Sequence, residues 1–129
     1  YNQFSLNYIK KLLSMLKKDP ITKNTPIILF ARDPSCDLKN FLIPELDCLS
    51  LFTSADINEA KNTFNGKMAI QGNLDPKMLL ESDAVLVDAV KQLSASFQDY
   101  PGYIFNLGHG ITPDINPEKV AVMLDALRS

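Results

Sequence analysis

The sequence contains a single histidine, His109, and its setting is the strongest candidate for chemistry in the chain. It follows the apolar run 103–107 and stands between Gly108 and Gly110. An imidazole can donate, accept or transfer a proton near neutral pH. We expect the two glycines to leave the ring unshielded and to permit backbone angles closed to other residues, so that it projects into a pocket. A histidine held in a tight turn without a functional role is the alternative interpretation.

Two other loops carry groups that could meet a ligand. The segment 72–76 predicts a strand-to-helix turn in which Asp75 caps the helix and Pro76 is its first residue. Its backbone N–H groups could approach an anion, but a simple capped turn is the favoured interpretation, and the repeated glycines of a nucleotide-binding loop are absent. Arg32 and Asp33 follow an apolar strand and could contact a carboxylated ligand. A solvated pair of loop charges is favoured there.

Several common chemistries have no motif in this sequence. It contains no His-x-Cys, Cys-x-x-Cys or Gly-x-Ser-x-Gly arrangement, which leaves metal binding and a serine nucleophile without support. Cys36 and Cys48 are predicted to be reduced, partly buried thiols, because the chain lacks the features of a secreted protein.

The elements that position these residues alternate between strand and helix patterns. Strands are predicted at 26–31, 47–52, 68–71 and 103–107, and helices at 4–18, 37–42, 54–66, 76–81, 82–97 and 116–127. The apolar residues of the first helix recur at the spacing of one helix face: Leu6, Ile9, Leu12, Leu13 and Leu16. Pro117 follows Asn116, the predicted cap of the last helix. The first strand is an uninterrupted apolar run, typical of a strand buried on both faces.

This alternation predicts an α/β fold with a parallel sheet and right-handed connections. A small doubly wound sheet and half of an eight-stranded (β/α) barrel both fit the pattern. Either architecture places functional residues at the carboxyl ends of the strands. These ends are Arg32-Asp33, Thr53-Ser54, Gly72-Asn73 and Gly108-His109-Gly110.

Composition favours one soluble domain. The chain has 129 residues, 46% of them hydrophobic, and a net charge of −2. No apolar run approaches the roughly 20 residues that span a bilayer, and the N-terminus has no signal-peptide pattern, so we expect a cytoplasmic protein without a membrane partner. A cluster of basic residues on the first helix predicts a solvated helix face rather than a nucleic-acid site. It consists of Lys10, Lys11, Lys17 and Lys18. Because the chain opens inside a helical pattern, we expect it to be part of a longer polypeptide.

Two motifs together resemble the C-terminal part of the uroporphyrinogen decarboxylase family. They are Gln71-Gly72-Asn73-Leu74-Asp75-Pro76 and Asn106-Leu107-Gly108-His109-Gly110. The resemblance covers essentially the whole chain. It implies that residues 1–129 form the C-terminal half of a single (β/α)8 TIM-type barrel domain that is usually a homodimer. It further implies cofactor-free loss of carbon dioxide from the four acetate side chains of uroporphyrinogen III, giving coproporphyrinogen III in haem biosynthesis.

The resemblance also assigns a role to the histidine turn. His109 matches the family's pocket histidine, which contacts substrate carboxylates, and is expected to be catalytic and substrate-binding with Gly108 and Gly110 beside it. The family's arginine-rich loop, aspartate, tyrosine and serine or threonine all precede the matched part. The 129 residues alone are therefore expected to be inactive.

The chain departs from the family at one strand end. The family usually has Gly-Leu-Asp-Trp there, and this sequence has Ser50-Leu51-Phe52-Thr53, which puts the contribution of that strand end in doubt. Corrinoid-dependent methyltransferases on the same barrel are disfavoured, because Phe30-Ala31-Arg32 lacks their His-x-Cys pair and His109 stands at the position of their cysteine. A self-contained α/β module with a non-catalytic anion site is the alternative hypothesis.

Overall fold

A computed structural model describes residues 1–129 and contains one parallel sheet of four strands in the order β1-β2-β3-β4. The strands are β1 (Ile28–Phe30), β2 (Cys48–Ser50), β3 (Ala69–Gln71) and β4 (Tyr103–Ile104). The α-helices are α1 (Asn7–Lys18), α2 (Ile57–Phe64), α3 (Asp83–Ser96) and α4 (Glu118–Arg128). Short helical segments cover Asn2–Leu6, Leu38–Phe41 and Pro76–Leu80. The predicted alternation of parallel strands with helices is confirmed.

The strand order favours the barrel interpretation over the doubly wound sheet. Each strand pairs in parallel with the strand that follows it in sequence. A doubly wound sheet reverses its strand order at a switch point, whereas a (β/α) barrel adds strands in sequence order. The sheet therefore has the topology of four consecutive barrel units.

Helix starts follow the predicted capping residues. Asp56 accepts a hydrogen bond from the Glu59 N–H at 2.7 Å, and Asp75 accepts one from the Lys77 N–H at 2.9 Å. Asn116 accepts from the Glu118 N–H at 3.0 Å, but α4 begins one residue later than predicted, so that Pro117 rather than Asn116 holds its cap position. Each such bond satisfies a backbone donor that has no partner inside the helix.

One face of the sheet builds the core. The strand register aligns Leu29, Leu49, Ile70 and Tyr103, which point toward the helices. The Tyr103 ring stacks on Phe97 at the end of α3 with a centroid separation of 4.0 Å, and its hydroxyl donates to the Gly72 carbonyl at 2.6 Å. Burial raises the pKa of the Tyr103 phenol. Helix α3 is thus fixed to the third and fourth strands.

The opposite face of the sheet is open within residues 1–129, so β1 is covered on one face here rather than on both. Ile28, Phe30 and Ile104 keep 48%, 45% and 41% of their surface exposed. Strand alternation places them on the face opposite Leu29 and Tyr103, where no helix covers these side chains. The uninterrupted apolar run of β1 therefore supplies one buried face and one open apolar face.

Three other predictions need correction. The regular part of β4 is Tyr103–Ile104 rather than 103–107, because its partner β3 ends at Gln71 and the pairing continues only as an isolated bridge between Leu74 and Leu107. Leu6 and Leu13 are buried as predicted, but Leu12 on the same predicted helix face is 56% exposed. Lys17 is not solvated freely, since its ammonium pairs with Asp47 at 2.9 Å and holds the pKa of that carboxyl below its ordinary value.

Helix α1 and the segments on either side of it present exposed apolar residues, which are Phe4, Tyr8, Leu12, Met15 and Ile21. Exposed apolar surface of this extent, together with the unpaired edge of β1, favours association. No helix of the chain combines the length and apolar character that crossing a bilayer requires.

The isolated chain is therefore expected to self-associate at micromolar concentration. Sedimentation velocity should show a concentration-dependent increase in mass, and a double variant with Leu12→Gln and Met15→Gln should shift the distribution toward monomer. A monodisperse wild-type monomer with one cooperative unfolding transition would contradict this expectation.

Candidate functional site

The carboxyl ends of the strands enclose a cavity of about 320 Å³ that contains the predicted histidine. Its lining residues come from all four strands or the loops that follow them: Phe30, Ser50, Gln71, Asn106, Leu107, His109 and Gly110. This is the end of a parallel βα array at which α/β enzymes place their functional groups. The strand register explains the grouping, since Phe30, Ser50 and Gln71 are aligned across neighbouring strands on the open face.

The His109 imidazole is exposed and nearly free of polar contacts within the chain. Its Nδ1 atom lies 3.4 Å from the carbonyl oxygen of Gly110, and its Nε2 atom has no partner. The ring is thus available to a ligand in the cavity. Its catalytic and substrate-binding roles stay predictions.

The glycines beside His109 serve different purposes from those expected. Neither has the positive φ found at Gly66, Gly72 and Gly102, so the predicted need for unusual backbone angles is wrong. Gly108 is required instead by close approach, because an added Cβ atom would lie 2.6 Å from the Cα atom of Thr53. Gly110 has open space around the corresponding position and lines the cavity.

A polar pair lies on the sheet where β2 and β3 end. The side-chain amide of Gln71 donates from Nε2 to the Ser50 hydroxyl at 3.0 Å, and Ser50 is 5% exposed. Ser50 is the first residue of the segment that departs from the family's usual Gly-Leu-Asp-Trp. Ser50 thus places a hydroxyl group in the cavity wall.

The turn at 72–76 is occupied by structural hydrogen bonds. The N–H groups of Gly72 and Leu74 donate to the carbonyl groups of Ile104 and Asn106 at 3.0 and 3.1 Å. These donors are therefore unavailable to an anion, and the capped turn is the interpretation that the geometry supports. Gly72 itself adopts φ 111°, and a Cβ atom there would lie 3.0 Å from the Leu51 carbonyl oxygen.

Asn73 is a structural residue that sequence patterns did not reveal. It is 7% exposed, and its Nδ2 atom donates to the carbonyl groups of Phe52 and Ala55 at 3.1 and 3.0 Å, with a longer contact to Thr53 at 3.4 Å. One side chain thus fixes the loop that follows β2. An asparagine in a turn between strand and helix is a weak signal for such a role, because most turn asparagines serve their own backbone.

Arg32 and Asp33 do not pair with each other, although both lie at the carboxyl end of β1. Asp33 accepts a hydrogen bond from the Ser54 hydroxyl at 3.1 Å, which links the loops after β1 and β2. Arg32 is exposed and forms no ion pair within the chain. Neither residue lines the His109 cavity.

The two cysteines are free thiols with limited reactivity. Burial raises the pKa of Cys48 to about 11 and also raises that of Cys36. A raised pKa keeps each sulfur protonated near neutral pH, which makes it a poor nucleophile. Neither cysteine lines the cavity, where His109 is the only ionisable side chain.

Four sequential parallel βα units with a polar cavity at their carboxyl ends define an α/β protein of the (β/α) barrel class. A family model described as "Uroporphyrinogen decarboxylase (URO-D)" matches residues 1–129. The chain belongs to the uroporphyrinogen decarboxylase family, which is a TIM-barrel family.

Relatives of known name support this assignment. The chain is 38% identical over 127 residues to a uroporphyrinogen decarboxylase of Hahella chejuensis (strain KCTC 2396) and 39% identical over 127 residues to one of Legionella pneumophila (strain Lens). A uroporphyrinogen decarboxylase of Alcanivorax borkumensis is 36% identical over 127 residues. Each match covers 98% of this chain and 36% of the relative. The chain therefore spans about a third of the length of the relatives it matches, and the predicted family is confirmed.

Proposed function

We propose that residues 1–129 are the C-terminal half-barrel of a uroporphyrinogen decarboxylase and supply one wall of its porphyrinogen site. The observation that carries this proposal is the His109 cavity at the strand ends of a chain that matches the family over its whole length. The intact enzyme would remove the four acetate carboxyl groups of uroporphyrinogen III without a cofactor, as a cytoplasmic homodimer.

The chemistry fits an exposed imidazole in this position. Loss of carbon dioxide from a pyrrole acetate requires a proton delivered to the ring system and donors that hold the carboxylate groups. His109 presents an unoccupied Nε2 atom to the cavity and can serve as such a donor when that nitrogen carries a proton. A single donor accounts for positioning of one carboxylate, so the other walls must come from outside these residues.

The open sheet face favours this proposal over a self-contained anion-binding module. A complete small module would cover the apolar side chains of Ile28, Phe30 and Ile104, which here stay 41–48% exposed. In a barrel, the same side chains point into the interior and are covered by the remaining strands. The alternative hypothesis places its anion site at the Gly108-His109-Gly110 and Gly72-Asn73 turns, and in the second of these turns the Gly72 N–H group is already bonded to the Ile104 carbonyl group.

His109→Ala in a full-length enzyme carrying this segment is expected to lower kcat/KM for uroporphyrinogen III about 100-fold. The exposed ring makes no packing contact that folding requires, so the unfolding midpoint should not change. Steady-state kinetics and thermal unfolding of the same preparation measure the two effects. Wild-type turnover and KM in the variant would remove His109 from the site.

Asn62→Ala is the matched control for this experiment, because Asn62 is exposed on α2 and lies outside the cavity. Its kinetics should equal those of the wild-type enzyme. The isolated 129-residue chain, tested in parallel, should show no decarboxylation.

A further inference from the structure

The His109 cavity has no charged side chain other than the histidine itself when that is protonated. No lysine, arginine, aspartate or glutamate lines it. Within residues 1–129, the groups besides His109 that could hold a carboxylate in this cavity are therefore neutral hydrogen-bond donors. The side chains able to donate are those of Ser50, Gln71 and Asn106.

Asn106 has its amide oriented by the backbone. Its Oδ1 atom accepts a hydrogen bond from the Leu107 N–H at 2.8 Å. Because a backbone N–H can only donate, the group facing it must be the oxygen, and this fixes which end of the amide is the NH2 group. The Nδ2 atom donates to no group of the chain, and the side chain is exposed to the cavity. Both N–H bonds are available to a ligand.

The Ser50 hydroxyl, like the Asn106 amide, has a hydrogen that no group of the chain accepts. Its Oγ atom accepts the hydrogen bond from Gln71 Nε2 at 3.0 Å, and no acceptor within the chain receives the hydroxyl hydrogen. Ser50 is 5% exposed and lines the cavity, so its hydroxyl hydrogen is available to an acceptor on a ligand there. Gln71 thus acts as a positioning residue for Ser50.

The remaining lining supplies apolar contact. Phe30 and Leu107 border the same cavity as the polar groups. The polar groups and the apolar surface therefore lie side by side in one open cavity. An acetate on an apolar ring matches this combination of donors and apolar surface.

We propose that the Asn106 amide and the Ser50 hydroxyl are further substrate-binding residues, which donate hydrogen bonds to the acetate carboxylate that enters the cavity beside His109. This inference rests on the proposed function, since it names the groups that hold the same substrate. The proposal adds two uncharged hydrogen-bond donors to the site. The resemblance places glycine at the position of Ser50 in most members of the family. We therefore expect the Ser50 hydroxyl to increase the affinity for the substrate without being required for the reaction.

The decisive variant is Asn106→Asp in a full-length enzyme carrying this segment. Aspartate keeps an oxygen for the Leu107 N–H, so the turn is preserved, but it removes both donors and adds a negative charge. Binding of uroporphyrin III, the oxidised and unreactive octacarboxylate, is measured by fluorescence titration. We expect Kd to rise at least about tenfold in this variant and about threefold in Ser50→Ala.

Asn62→Asp is the matched control, because it adds the same charge on an exposed helix position outside the cavity. Its Kd should equal the wild-type value. Equal Kd values for Asn106→Asp and Asn62→Asp would overturn the Asn106 assignment while leaving the proposed function intact. Unchanged binding in Ser50→Ala, with its unfolding midpoint retained, would overturn the Ser50 assignment.

Wild-type measurements separate this inference from the proposed function. In one outcome, the wild-type enzyme binds uroporphyrin but does not decarboxylate uroporphyrinogen III, and Asn106→Asp weakens the binding. This outcome would support Asn106 as a hydrogen-bond donor to the ligand and overturn the decarboxylase proposal. Failure of the wild-type enzyme to bind uroporphyrin would overturn both. Decarboxylation with a selective rise in KM in Asn106→Asp would support both.

Discussion

Gly108→Ala is expected to destabilise the protein by about 3 kcal/mol, the upper end of the usual cost of overpacking. The added Cβ atom would lie 2.6 Å from the Cα atom and 2.7 Å from the backbone nitrogen of Thr53. These are backbone atoms, which cannot move aside as the end of a flexible side chain can. The loop after β2 and the His109 turn would have to separate.

Gly110→Ala provides the matched comparison, because a Cβ atom there meets nothing within 4 Å. It should change the free energy of unfolding by no more than about 0.5 kcal/mol. Denaturant unfolding of both variants in the full-length enzyme, at one fixed protein concentration, measures the difference. Equal stability of the two variants would show that the approach of Gly108 to Thr53 is not a structural requirement.

Asn73→Ala is expected to cost about 2–3 kcal/mol, because it deletes a buried amide that donates to the carbonyl groups of Phe52 and Ala55. Those carbonyl groups would lose a partner that water replaces only if the loop opens. The variant should therefore also increase hydrogen exchange in the loop after β2.

The exposed Asn62→Ala replacement is the reference, with an expected change within about 0.5 kcal/mol. Comparison of unfolding midpoints and of exchange rates at residues 51–56 separates a local effect from a global one. A loss of stability no larger than that of the reference would mean that solvent satisfies the Phe52 and Ala55 carbonyl groups at no cost.

Local chemistry is what the sequence could predict. Capping depends on residues a few positions apart: the Asp75 cap forms as expected, whereas Asn116 accepts from the Glu118 N–H but Pro117, not Asn116, holds the cap position of α4. The parallel order of strands follows from alternating strand and helix patterns, and it is present in full. His109 lines a strand-end cavity for the same reason, since strand ends of a parallel sheet meet at one edge.

The features that the sequence did not reveal depend on contacts between distant segments. The approach of Gly108 to Thr53 and the bonds from Asn73 to the loop after β2 join residues that no periodic pattern relates. Likewise, an apolar run such as that of β1 does not indicate which of its faces is covered. The polar pair of Ser50 and Gln71 becomes visible only when the strand register is known.

The sequential order of the sheet has a consequence for how the chain acquires its structure. Because every strand pairs with the next strand in the chain, each pairing closes one short segment and requires no contact between remote parts of the sequence. The entropy of loop closure is thus divided into three modest steps rather than concentrated in one long-range step. Such a topology allows these βα units to be added one after another as a ribosome releases them, with the His109 turn formed after β4 and before α4.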